Sequence, residues 1–171
     1  MTLIINDFLP QQQFLELSHL MCVSDLFPWF FNPYVAYEGE EESLNSYFTH
    51  TFYNNDEWTS NLSDILKGFV GVIRSSMHET EWQMNSLIRV RGNLYPRTEV
   101  LNIHPKHYDY SFDNKAAILY LNDNDGYTEF EGDEKIKSKG NRIVFFNGSV
   151  LHNSTNCTTE KNRVTLVANY L

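Results

Sequence analysis

The sequence predicts a mainly β domain with helices in its N-terminal half, an α+β arrangement whose second half is a barrel or a jelly roll. Two observations carry this. The apolar residues recur with a period near 3.6 before residue 86 and a period of 2 beyond it, and the period-2 segments are short and separated by Asn/Asp/Gly clusters. A third observation sets the scale. The 171 residues contain no internal repeat, low-complexity tract or Gly/Ser linker, which predicts one domain over 1–171, with 1–85 as a helical support region and 86–171 as the β core.

In chain order, the first helix is predicted over 10–21, where Phe14, Leu17 and Met21 fall near helical spacing and Pro10 suits a first turn. The aromatic stretch 27–37, with Trp29, Phe30, Phe31 and Tyr34, reads as core, and the acidic stretch 38–42 as a solvated loop. A second helix is predicted over 60–77 from the stripe Leu62, Ile65, Leu66, Phe69, Val70, Ile73 and Met77. Ser60 or Asn61 is available to cap it, while Gly68 and Gly71 weaken it. Over 87–95, Ile88, Val90 and Leu94 alternate with Arg89, Arg91, Asn93 and Tyr95, so the strand has one apolar and one polar face. Further strands are predicted over 99–103, 115–122, 127–130, 142–147 and 163–170.

Composition narrows the function. Against 13 Lys and Arg stand 22 Asp and Glu, a formal net charge of −9, which disfavours sequence-independent attraction to nucleic acid or to anionic membranes. The 12 Phe, 10 Tyr and 3 Trp supply ample core area. Cys22 and Cys157 are too far apart and too few for a disulfide framework. No basic leader-like N-terminus and no apolar run near membrane-spanning length are present, so a cytoplasmic location is expected.

One constellation carries chemistry. His107 and Asp109 stand at i and i+2, which on extended backbone places an imidazole and a carboxylate on one side, able to grip a single metal ion. His152, just beyond the 142–147 strand, is the candidate third ligand. Two His and one carboxylate form the facial triad of non-haem Fe(II) oxygenases, which leaves three coordination positions open. The plainer alternative has His107 bonded to Asp109 in a loop and His152 exposed. Arg163 opens the last strand, where a guanidinium can pair with a carboxylate in bidentate fashion.

The ordered set His107-x-Asp109, Ile118-Leu119-Tyr120-Leu121-Asn122, Gly126-Tyr127-Thr128-Glu129-Phe130, the segment 140–146, His152 and Arg163 resembles the prolyl-4-hydroxylase-like branch of the Fe(II)/2-oxoglutarate-dependent oxygenases. Residues 89–98, reading RVRGNLYPRT, and the phrase at 125–130 are similar to small members found in phages and marine microbes. The match covers 86–170; Phe27-Pro28-Trp29 and Tyr47-Phe48-Thr49-His50 fit more loosely. The resemblance implies a double-stranded β-helix (jelly roll, cupin-like) with helices packed on one sheet and iron between the sheets. It implies Fe(II) on His107, Asp109 and His152, and O2 and 2-oxoglutarate as cosubstrates. Arg163 and Tyr120 would meet the distal carboxylate of 2-oxoglutarate, with Tyr95 and Asn93 also on the cosubstrate. Arg89 and Arg91 share the face of Asn93 and Tyr95, either lining the interior or simply solvated.

Departures from the branch are few. Asp125 stands where many relatives begin a Gly-Gly phrase, and His104 lacks a carboxylate at i+2, which makes it a surface or supporting residue. Retention of Asp109 favours hydroxylation over halogenation. The implied activity is hydroxylation of a C–H bond, of a prolyl or other peptide side chain or of a free amino acid or small metabolite, with release of succinate and CO2. A non-catalytic β-helix binding module is the competing reading. A nucleobase demethylase on the same fold is disfavoured by the acidic balance.

Overall fold

A computed structural model describes residues 2–36, 45–132 and 134–171. The expected acidic loop at 38–42 and Tyr37 lie outside the described residues.

The strands form two antiparallel sheets. They are β1 (Leu3–Ile5), β2 (Phe30–Asn32), β3 (Tyr47–Asn54), β4 (Glu57–Trp58), β5 (Leu87–Pro96), β6 (Lys115–Tyr120), β7 (Tyr127–Phe130), β8 (Glu134–Lys137), β9 (Arg142–Asn147), β10 (His152–Ser154) and β11 (Asn162–Tyr170). The larger sheet runs β1-β9-β6-β11-β5-β3-β2, with β4 paired to β3, and the smaller runs β10-β7-β8. The non-sequential order of neighbours is that of a jelly roll.

Alternation along the central strands builds two cores. Ala117 and Leu119 of β6, Ile143 and Phe145 of β9, and Val164, Leu166, Ala168 and Tyr170 of β11 face the helices, where they meet Leu17, Leu66, Phe69 and Ile73. Their sequence neighbours Ala116, Ile118 and Tyr120, Val144 and Phe146, and Val167 face the smaller sheet and pack on Phe130 and Ile136. Strands buried on both faces read as nearly continuous apolar runs, which is why β6 and β9 are legible in the sequence as strands but not as to which face is which.

The helices sit close to their predicted positions. Helix α1 (Gln11–Ser18) continues into a π-helical turn, His19–Val23, and α2 (Ser63–Ser76) starts after Leu62. Neither Ser60 nor Asn61 caps it in the expected way: Leu62 precedes the first turn without a side-chain cap, and the Ser60 hydroxyl accepts the Leu62 N–H one residue earlier.

Three expectations are corrected. The 99–103 segment is not a strand; of it only Ile103 makes an isolated bridge, to Thr155, because its residues have no neighbouring strand long enough to pair with. The first 85 residues contribute β1 to β4 as well as the helices, with β3 pairing along most of β5. The aromatic stretch 27–37 is split: Phe27 is core, while Phe30 and Phe31 are more than half exposed on the sheet edge.

Candidate active site

The interior faces of β5 and β11 lie side by side and are polar except at Val167. Antiparallel pairing puts Arg89 opposite Asn169, Arg91 opposite Val167, Asn93 opposite Thr165 and Tyr95 opposite Arg163. Directly opposed residues project to the same side of a sheet, so these rungs line one wall of the space between the sheets. Arg89 and Arg91 are therefore interior-facing. The solvated alternative for that face does not hold.

Across this wall lies an irregular loop carrying His107 and Asp109. It is tied to β10 by reciprocal backbone bonds, His107 N–H to the His152 carbonyl at 2.8 Å and His152 N–H to the His107 carbonyl at 2.9 Å. Asp109 N–H reaches the Gly148 carbonyl at 2.9 Å. As a result one ligand atom each of His107, Asp109 and His152 lies within 4.8 Å of the others, the grouping of metal-ligating side chains found among the described residues. The alternative in which His152 is exposed is excluded, since His152 is buried against Phe130 and Phe146.

The donor set is arranged for a cation. Nδ1 of His107 is 3.3 Å from the Pro105 carbonyl and Nδ1 of His152 is 2.9 Å from the Val150 carbonyl. A carbonyl only accepts, so each Nδ1 carries the proton and each Nε2 is left with its lone pair. Burial first, and the charge of His152 second, push His107 down to about 4, so it is neutral near pH 7. Asp109 Oδ1 accepts from Arg89 Nη2 at 3.1 Å and Oδ2 from Asn169 Nδ2 at 2.8 Å. Burial alone would raise this carboxyl, but His152, Arg89 and Asn169 together hold it below its usual range.

At the other end of the wall, Arg163 is fully buried. Its Nε donates to Ser138 Oγ at 2.8 Å, Nη1 to the Thr155 carbonyl at 3.1 Å and Nη2 to Thr128 Oγ1 at 3.0 Å, and its guanidinium lies over the rings of Tyr95 and Tyr120. Every one of these partners is neutral. Among the described residues no carboxylate meets this charge. Tyr95, Asn93, Thr128, Ser154, Thr165 and Arg163 line one cavity with His107, Asp109 and His152.

The remaining predicted residues are placed as follows. Tyr120 is buried behind Thr128 rather than on the cavity wall, and its hydroxyl donates to Thr128 Oγ1 at 2.9 Å. His104 is buried, not on the surface: its Nδ1 is 2.8 Å from Ser154 Oγ and its ring stacks on Tyr95. Sequence reasoning missed Asn169, Thr128, Ser138 and Ser154. Asn169 had a signal, since it shares the period-2 face of Arg163 along β11; the others are hydroxyls whose role depends on how the smaller sheet folds over.

No protein-family model and no curated protein matches this sequence. Solved structures do. A 2OG-Fe(II) oxygenase family oxidoreductase from Burkholderia pseudomallei superposes with a TM-score of 0.71 at 10% identity, over 99% of this chain and 84% of that one. The fold is that of the 2OG-Fe(II) oxygenases. A Pseudomonas putida prolyl-4-hydroxylase shares this oxygenase fold, with a TM-score of 0.66, 13% identity and coverage of 99% and 91%. So does the epimerase SnoN in complex with Fe3+, alpha ketoglutarate and nogalamycin RO, with a TM-score of 0.66, 10% identity and coverage of 99% and 78%.

Proposed function

We propose that this protein is an Fe(II)- and 2-oxoglutarate-dependent dioxygenase that hydroxylates a C–H bond. The observation that supports this most is the joint presence, in one cavity, of three converging metal-ligand atoms and a fully buried guanidinium with no carboxylate partner among the described residues. A buried charge held only by neutral groups is costly and is well matched to a dicarboxylate cosubstrate.

In this reading His107, Asp109 and His152 hold ferrous iron through two Nε2 lone pairs and one carboxylate. Bound there, the ion supplies the redox chemistry by which O2 converts 2-oxoglutarate to succinate and CO2 while the second oxygen atom enters the substrate C–H bond. The chain's own residues do the rest. Arg89 and Asn169 fix the carboxylate of Asp109 from both oxygens. Arg163 neutralises the distal carboxylate, with Tyr95 beneath the guanidinium and Thr128 held in place by Tyr120. Closure of the smaller sheet over the larger keeps bulk water out.

Prolyl hydroxylases and an epimerase from nogalamycin biosynthesis share this fold, so the fold does not choose between peptide and small-molecule substrates. Both cysteines are free, which suits the reducing cytoplasm in which ferrous iron persists. No helix among the described residues is long and apolar enough to cross a membrane.

Anaerobic titration of the metal-free protein with Fe(II) and then 2-oxoglutarate tests the reading through the weak visible charge-transfer band of the chelate. The band is expected in the parent, absent in Asp109→Ala, and in Arg163→Ala to require about tenfold or more additional 2-oxoglutarate. A parent without the band would mean that the protein is a binding module on the oxygenase fold.

A further inference from the structure

The interior face of β5 carries two guanidiniums, and only one is accounted for. Arg89 is committed to Asp109 and Asn169. Arg91 sits opposite the apolar Val167, makes no salt bridge to any described carboxylate although Asp109 is near enough to feel its charge, and its Nε is buried without a hydrogen-bond partner. Two residues along the same face, Asn93 is only 4% exposed and its Oδ1 is likewise buried and unpartnered. Native structures seldom leave such groups unmade, so the Arg91 donor marks a place on the cavity wall where a ligand supplies an acceptor, while the Asn93 oxygen calls for a donor that a carboxylate itself does not offer.

Position says which ligand. Arg91 lines the inner cavity with Arg163 and the three candidate metal ligands. It also lines an adjoining outer mouth with Tyr34, Val35, Tyr47, Tyr108 and Arg89. Arg163 is absent from that mouth. Among the described residues Arg91 therefore stands between the candidate metal ligands and this outer mouth, the side that would admit a primary substrate.

Charge points the same way. The described site holds Arg89, Arg91 and Arg163 against Asp109 as its one carboxylate. A divalent ion and a dianionic cosubstrate add as much positive as negative charge, so the excess of positive charge remains after both are bound. This excess sits in a chain whose overall formal charge is −9, which makes it a local feature rather than a general one.

We propose that Arg91 binds a carboxylate of the primary substrate, so that the enzyme acts on a carboxylic acid rather than on an uncharged side chain within a polypeptide. This rests on the oxygenase reading above and names its substrate class. The planar guanidinium fixes the acid at one end, and a C–H bond further along the same molecule is then held facing the three metal ligands. An internal prolyl residue offers no charge here and would leave Arg91 desolvated and unpaired.

The test uses the iron-loaded enzyme under argon with saturating 2-oxoglutarate and follows the change in the visible chelate band as probes are added. The probes are free L-amino acids against their primary amides, and glycyl-prolyl dipeptides with free against amidated C-termini. In the wild type the acid is expected to half-saturate at a concentration about tenfold or more below its amide, and in R91Q that preference is expected to fall to about twofold or less. R91K, which keeps the charge, should retain part of it. The half-saturation for 2-oxoglutarate should differ by about threefold or less between wild type and R91Q, with unchanged thermal unfolding as the folding control. A preference confined to free amino acids assigns the carboxylate to a small acid; one confined to the dipeptides assigns it to a chain terminus.

Equal response to acids and amides, or no response to any acid, overturns the proposal while leaving the oxygenase reading intact. A rise in the 2-oxoglutarate requirement of R91Q like that of Arg163→Ala also overturns it and gives Arg91 to the cosubstrate. Failure of the wild type to form the band removes the oxygenase reading itself.

Discussion

Asp109 is the residue through which two neighbouring strands meet the candidate metal ligands. Its two oxygens are each spoken for by a different strand, Oδ1 by Arg89 of β5 and Oδ2 by Asn169 of β11, and these two partners are themselves opposed in register and bonded to one another, Arg89 Nη2 to Asn169 Oδ1 at 2.9 Å. Such outer contacts orient a ligating carboxylate, and losing one commonly weakens metal affinity about 10–100-fold. Asn169→Ala is therefore expected to weaken Fe(II) binding by about that factor, measured by competition with a chelator, while Asn169→Asp is expected to do worse by placing a second carboxylate against Asp109. An unaltered affinity in Asn169→Ala would show that Arg89 alone suffices. The candidate ligands were legible in the sequence, His107 and Asp109 from their i, i+2 spacing and His152 from its place just beyond the 142–147 strand. For Asn169 the sequence offered only the face it shares with Arg163, because an Asn on a strand does not name its partner until the register of β5 on β11 is known.

At the level of elements, the start of β7 controls the buried arginine. Gly126 precedes Tyr127, and a Cβ there would run into the Asn156 carbonyl and come within 2.6 Å of Arg163 Cδ. One of these neighbours is backbone and the other is pinned by three hydrogen bonds, so neither can give way easily. Gly126→Ala is expected to destabilise the protein by about 1–3 kcal/mol through overpacking and to raise the 2-oxoglutarate requirement together with it. Denaturant midpoints and the cosubstrate titration check the two effects separately, and a variant with normal values in both would mean the segment relaxes. The strands 127–130 and 142–147 have the bounds read from their apolar runs and flanking turn residues, and β5 and β11 differ by a single residue. The edge strands β1, β2 and β4 escaped because two or three residues do not establish a period. Strand β3 escaped for another reason: Tyr47 to Asn54 is aromatic or polar on both faces, so its pairing with β5, and not its composition, defines it.

For the molecule as a whole, the buried imidazoles tie stability to pH. Burial first, with the charges of Arg163 and His107 next, pushes His104 down to about 3, and His107 lies at about 4. The unfolded chain takes up these protons near pH 6.5, so between that value and about 4 it binds more protons than the native state. Stability is thus fully present above pH 6.5 and declines as the pH falls toward 4. Thermal unfolding of the metal-free protein at stepped pH is expected to show this decline, and His104→Gln to make it shallower; a profile as steep in the variant would place the dependence elsewhere. The helices and the polar face of β5 were readable from period and spacing, which left a barrel or a jelly roll open; the jelly roll itself came from the family resemblance. That this face turns inward was not readable, since alternation separates two faces without saying which of them another sheet will cover.

The reciprocal backbone bonds between His107 and His152 have a consequence for how the site is loaded. Main-chain pairing, not coordination, brings the two imidazoles side by side, and their Nδ1 protons are already spent on carbonyls. Backbone pairing within the folded chain thus brings the candidate ligands together, unlike small zinc modules, whose ligands assemble only around their metal. On the oxygenase reading proposed above, an ion removed by a chelator would leave these pairings in place, and the site could be reloaded without refolding.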